Sequence, residues 1–253
     1  MGSQLFDYSY AHNFDYKIEM LSYLAAKENW QYRHTESNDS HPILRNYINH
    51  TFSRIFQEEK IYESNDKEKS CLNTGLVTEN QEEIFMIFSK NKNKDKQPWF
   101  LDGFFKESDR ELIVFSELPP LANYFSETSS LLYDTRVHIR KNLDHIIDEN
   151  KQRFPEPFAL MKENHQLNIA LNGAIDHALR RVQRNYRTAV PQFYQGGIQL
   201  LLPLCMTNKK TADLALVIYK QNDVYLASTC LTLDMAYNNA RLLAKPDSDW
   251  LEP

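Results

Sequence analysis

The stretch ADLALVIYKQNDVYLASTCLTLDMAYNNARLLAK, Ala212 to Lys245, decides the fold class. Two apolar runs, ADLALVIY and VYLASTCL, flank the polar turn KQND, which is the pattern of a β-hairpin. A helix follows. Leu233, Tyr237, Ala240 and Ala244 recur on one side of it, Met235, Leu242 and Leu243 cover much of the rest, and Thr232 or Asp234 supplies the cap. A thin polar strip is left over: Asp234, Asn238 and Arg241 fall within about 60° of one another at the helical repeat. Three hydrogen-bonding groups aimed one way from a mostly apolar helix make either a ligand site or a buried polar network, and both readings stand.

Upstream of the hairpin, QFYQGGIQLLLPLCM (Gln192–Met206) passes through Gly196 and Gly197 into a nearly continuous apolar strand, as expected where both faces are covered. Pro203 in that run predicts an edge position or a bulge. The spacing predicts a helix from about Leu171 to Thr188, ended by Pro191, with Ile175, Leu179, Val182 and Tyr186 as its buried stripe. On another face Arg180, Arg184 and Arg187 line up, with Arg181 beside them. A planar guanidinium takes two phosphate oxygens at once, so the row suits an anion; a solvated face with Asp176 paired to Arg180 is the alternative.

The segment YDTRVHIR (Tyr133–Arg140) alternates, which places Arg136, His138 and Arg140 on one strand face and Val137 and Ile139 on the other. That basic face is either a phosphate platform or the solvated side of an exposed strand. A helix begins near Asn142 and ends before Pro155; its His145 has no second ligand at a metal-binding spacing.

In the first half, a helix is predicted from Pro42 to about Lys60 with Ser40 as cap and Leu44, Ile48, Thr51, Phe52, Ile55 and Phe56 as an apolar arc. Arg45 falls between Phe52 and Phe56 on the helical wheel. A guanidinium there needs an anion or carbonyls, from the protein or from a ligand. CLNTGLVT and EEIFMIFSK read as strands joined by ENQ, with Gly75 at a bulge and Asn73 and Thr74 either organising that bulge or meeting a ligand. PWFLDGFF reads as a further strand or packed loop, and SKNKNKDKQ (Ser89–Gln97) as a solvated loop. No Pro/Gly/Ser-rich linker divides the chain. The expectation is α+β: one domain over residues 21–253, a largely antiparallel or mixed sheet packed with several helices, after an N-terminal extension of residues 1–20.

The chain has 253 residues, 42% of them hydrophobic, enough for a sizeable core. Its net charge of -5 argues against nucleic-acid binding through an overall positive field, so any such binding must be local. Cys71, Cys205 and Cys230 form no CxxC pair and sit in apolar runs, which fits a reducing, cytoplasmic setting. No run approaches a membrane span, and the polar N-terminus does not resemble a signal peptide. G-x-G-x-x-G, P-loop, G-x-S-x-G and H-E-x-x-H patterns are absent, so no metal and no cofactor is expected and no residue is assigned a catalytic role.

The segments TLDMAYNNARLLAKPDSDWL, LRNYINHTF, LNTGLVT, PWFLDGF, NYRTAVPQFY and IQLLLPL together resemble a bacterial domain of unknown function numbered 3825, over roughly Leu21 to Leu251. Arg45, Asn46, Asn73, Tyr194, Gln199, Asp234, Asn238 and Arg241 fall in the matching motifs. Some members resemble fusions to cold-shock or LOTUS-type modules, so the resemblance implies an RNA-related setting without assigning chemistry to any residue.

The leading expectation is an RNA- or nucleotide-binding domain in which arginines hold phosphates and an aromatic ring stacks on a base. Its candidate ligand residues are Arg45, Asn73, Arg136, His138, Arg180, Arg184, Tyr194, Gln199, Asp234, Asn238 and Arg241. Two alternatives stay open: a metal-independent phosphodiesterase or nucleotide-processing enzyme using His138 or His145 as general acid or base, and a protein interaction module.

Overall fold

The apolar runs of the chain pair into two five-stranded sheets, one in each of two compact units. The computed structural model describes residues 4–247 and 249–251. The first unit comprises the chain up to Tyr32 together with Glu36–Asn123; the second comprises Arg33–Thr35 and the chain from Tyr124 onward.

In the first unit the order is α1 (Gln4–Tyr8), β1 (Ser9–Tyr10), α2 (Phe14–Leu24), α3 (Pro42–Gln57), β2 (Tyr62–Glu63), β3 (Lys69–Val77), β4 (Glu83–Lys90) and β5 (Trp99–Lys106). The sheet runs β1-β5-β4-β3-β2, antiparallel except for the β1–β5 pair. Residues 4–20, expected as an extension, carry α1, β1 and the start of α2, and Leu5, Phe14 and Ile18 are buried there. Tyr8 packs against Phe52 of α3 at 5.4 Å and Phe88 of β4 at 5.3 Å, which ties helices to sheet. On β3 and β4, Cys71, Phe85 and Ile87 pack with Leu112 and Phe115 in a second cluster.

Two local details differ from expectation. Ser40 does not cap α3: His41 holds the N-cap position without a side-chain bond, and Pro42 sits in the first turn where its missing N–H costs nothing. Phe56, placed in the apolar arc, is exposed. Gly75 is where expected, at a register shift between Asn73 and Val77, with φ +74°.

The second unit contains β6 (His138–Lys141), α4 (Leu143–Asn150), α5 (Asn164–Arg184), β7 (Val190–Tyr194), β8 (Gly197–Leu204), β9 (Leu214–Gln221), β10 (Val224–Leu231) and α6 (Leu233–Arg241). Its sheet runs β6-β10-β9-β8-β7, with only the β6–β10 pair parallel. Leu200, Leu202 and Leu204 of β8 and Leu214, Leu216 and Ile218 of β9 join Ile146, Leu171, Ile175 and Val182 of α4 and α5 in one core. The intervening Leu201, Ala215 and Val217 are buried too, and α6, which packs on β7, β9 and β10, contributes buried Ala236, Tyr237 and Ala240. Cover on both faces accounts for the unbroken apolar runs.

Gly196 marks a hairpin rather than a lead-in to a single strand: Gln195 and Gly196 have φ of 48° and 82°, the pair of left-handed residues that a two-residue hairpin turn requires. Pro203 lies in the second strand from the edge, yet the last β7–β8 pair is Val190–Leu201, so β7 has ended before it. The Leu204 carbonyl faces β9, where it accepts from Asp213, so by strand alternation Pro203 turns its N-less side toward that open edge. The α+β class and the mixed, largely antiparallel pairing are as expected; the strands form two sheets.

Candidate functional site

The polar candidates of the first unit are engaged locally. Arg45 forms ion pairs with Asp15 and, at 3.5 Å, with Asp39, and its guanidinium lies 5.3 Å from the Phe14 ring centroid. Asn73 Oδ1 accepts from the Gly75 N–H at 3.0 Å and Thr74 Oγ1 donates to the Ile84 carbonyl at 2.6 Å, so both side chains hold the bulge together.

In the second unit, Thr232 caps α6 by accepting from the Met235 N–H at 3.3 Å. Asp234, 5% exposed, accepts backbone N–H groups from Arg33 and His34, each at 3.1 Å. Arg241 is buried in the last turn of the same helix, and Asn238 is half-buried between them. Gln199 belongs to a chain of amides: Asn239 Nδ2 donates to Gln192 Oε1 at 3.1 Å, and Gln192 Nε2 donates to Gln199 Oε1 at 2.8 Å. This partly buried chain of amides, centred on buried Gln192, links α6 to β7 and β8.

The basic strand face is shorter than its sequence pattern. Arg136 precedes β6 and grips Asp134 with two side-chain bonds of 2.9 Å, while His138 and Arg140 on β6 are exposed. That grip holds the Asp134 carboxyl at about 2, well below the usual carboxylate range. Asp176 pairs with Lys141 at 2.5 Å, not with Arg180. Tyr194, at the end of β7, is exposed, and His145 is exposed in the first turn of α4. Burial pushes the Cys71 and Cys230 thiols up to about 12. Among the described residues no group of three or more His, Cys, Asp or Glu is placed to hold a metal ion, and no helix is long and apolar enough to cross a membrane.

On α5, Arg180 and Arg184 are exposed, and among the described residues neither side chain takes part in a hydrogen bond or ion pair. The helix stops at Arg184. Asn185 is extended (φ -144°, ψ 103°) and Tyr186–Thr188 form a 3-10 turn, so the helical phase that assigned Tyr186 to the buried stripe no longer applies, and its ring is 62% exposed. Tyr186 and Arg187 instead line a cleft of about 270 Å³, together with Leu131, Leu132, Ala189, Val190, Pro191, Ala240, Leu243, Ala244, Lys245, Pro246 and Asp247. Arg187 approaches Asp247 at 3.9 Å, and the Trp250 indole donates to the Thr188 carbonyl at 3.0 Å, holding the final segment in place.

None of the sequence candidates lines this cleft. Tyr186 was hidden by a helical period carried past the end of its helix, and Lys245 lies beyond the last helical residue, where no period applies. Arg187, the third member of the arginine row, was the available signal.

The cleft offers a largely apolar lining, one exposed aromatic ring, the cations Arg187 and Lys245, and the Asp247 carboxylate beside Arg187. Such an arrangement can bury a flat ring system and neutralise an anion attached to it. No curated protein and no solved structure gives a significant match to the chain. The family model for a domain of unknown function (DUF3825) matches residues 21–250, and the chain belongs to that family.

Proposed function

We propose that the protein is a cytoplasmic, bacterial RNA- or nucleotide-binding domain whose site is the cleft of the second unit. One observation carries the reading: an apolar cleft bordered by the exposed ring of Tyr186, with Arg187 and Lys245 at its border and Arg184 and Arg180 along the helix that leads to it. A base placed against Tyr186 loses apolar surface to the cleft floor, and its phosphate meets guanidinium groups able to take two oxygens each. An RNA setting also fits the fusions to cold-shock or LOTUS-type modules that the family resemblance implies.

The test is thermal melting of the full chain against a panel of mononucleotides and short oligoribonucleotides. A ligand at about one hundred times its Kd stabilises by about 2.7 kcal/mol, which raises the melting temperature by several degrees. The shift is expected for wild type and lost in Tyr186→Ala and in an Arg184→Gln, Arg187→Gln double variant. If no nucleotide or oligonucleotide shifts melting and none accompanies the purified protein, the reading is wrong.

A further inference from the structure

A second set of aromatic and cationic side chains lies in the first unit, on residues the cleft does not use. Strand β1 runs parallel beside β5 with Tyr10 opposite Phe100, so both side chains share one sheet face. Their ring centroids are 6.1 Å apart, and the His12 ring lies 6.0 Å from Tyr10. Tyr10 and Phe100 are half-buried and His12 is exposed.

Two ammonium groups stand over these rings. Lys96 Nζ is 5.1 Å from the Tyr10 centroid and Lys17 Nζ is 5.8 Å from that of Phe100. Lys17 is anchored by donating to the Asp102 carbonyl at 2.8 Å, and both residues line a cavity of about 200 Å³ walled by Tyr16, Met20 and Phe104. Burial beside that cavity lowers the Lys17 pKa, while the Asp102 carboxylate opposes the shift. Lys96 belongs to the loop between β4 and β5, which also exposes Lys92 and Lys94. The loop is closed by the Asn91 N–H on the Pro98 carbonyl at 2.8 Å and tied to α1 by Gln97 Nε2 on the Phe6 carbonyl at 2.8 Å. Two carboxylates oppose these lysines, Asp95 within the loop and Asp102, whose Oδ2 accepts from Ser89.

A local positive excess over half-exposed aromatic rings, on a chain of net charge -5, is what a flexible polyanion with flat bases needs. We infer that this face of β1 and β5 binds single-stranded RNA, with bases stacked on Tyr10 and Phe100 and phosphates neutralised by Lys17 and Lys96. Every base has a π-face, so the contact tolerates sequence. On binding, Lys17 gives up its bond to the Asp102 carbonyl, and both lysines move from over the rings to the edge of the stacked base, where the sugar–phosphate backbone runs. A duplex is excluded because its bases are already stacked and paired within the helix.

The test uses the full chain and a short unstructured oligoribonucleotide, read by fluorescence anisotropy and by ultraviolet crosslinking with peptide mapping. Crosslinks are expected at Tyr10 or Phe100, and Tyr10→Ala is expected to weaken binding about tenfold. Lys96→Gln, on an exposed loop, should leave melting unchanged and reduce the slope of log affinity against log salt by about 0.7. An unchanged affinity and salt slope in Lys96→Gln overturns the inference whether or not Tyr10→Ala folds. Equal competition by duplex RNA or by polyglutamate also overturns it. Crosslinks confined to Tyr186 leave the cleft reading standing and remove this one; crosslinks at Tyr10 that survive Tyr186→Ala support this one and leave the cleft to mononucleotide melting; absence of RNA binding removes this one.

Discussion

The carboxylate of Asp234, in the first turn of α6, accepts the backbone N–H of His34 at 3.1 Å across 200 residues of sequence. Its second oxygen takes the Arg33 N–H at 3.1 Å, so a short segment of early chain is held by one late side chain. The polar strip of α6 therefore includes a structural clamp.

Asp234→Ala removes both acceptors and is expected to cost about 2 kcal/mol, the range for hydrogen bonds to a charged group. Asp234→Asn keeps one acceptor oxygen and should lose about half as much. Urea unfolding of the two variants checks the order. A variant with wild-type stability and a lost nucleotide-induced melting shift would make Asp234 a ligand group instead.

Gly75 adopts φ +74°, and a Cβ built there would lie 2.6 Å from the Tyr47 hydroxyl, which donates to the buried Thr74 carbonyl at 2.9 Å. Gly75→Ala combines a left-handed backbone penalty of about 1 kcal/mol with displacement of that hydroxyl, for about 2 to 3 kcal/mol in all. In a Tyr47→Phe background the clash is gone, and the same substitution should cost only the backbone part. The coupling is read from a double-mutant cycle in denaturant.

The Arg136 side chain, through its bonds to Asp134, holds that carboxyl at about 2 against an ordinary value of 3.8. A depressed carboxyl pKa contributes stability that is fully present above the ordinary value and is lost as pH falls through the folded one. The pair's contribution should therefore fade between pH 3.8 and about 2, not near neutrality. Arg136→Gln should return the Asp134 titration toward 3.8, seen by carbon NMR of its carboxyl group, and remove this pH-dependent part.

The hairpin of β9 and β10 and the cap of α6 by Thr232 were legible because each depends on residues within a few positions of one another. The bulge at Gly75 was legible for the same reason, since its Asn73 side chain bonds two residues on. Helix ends were less so. A period of apolar residues fits on either side of a terminus, so α5 begins at Asn164, earlier than its strongest stripe, and stops before Tyr186.

The sequence by itself determined the α+β class, the strand pairs joined by short turns and the arginine row, because backbone periodicity and turn chemistry are local. Only the tertiary structure decided which polar groups have work within the fold. It paired Arg45 with Asp15 and Asp39, gave Asp234 to His34 and Arg33, and left Arg180 and Arg184 solvent-facing. It also turned Tyr186 onto a cleft and set Tyr10 beside Phe100 under two lysines. A side chain's partner is set by which distant segments pack against it, and that information is absent from any local period.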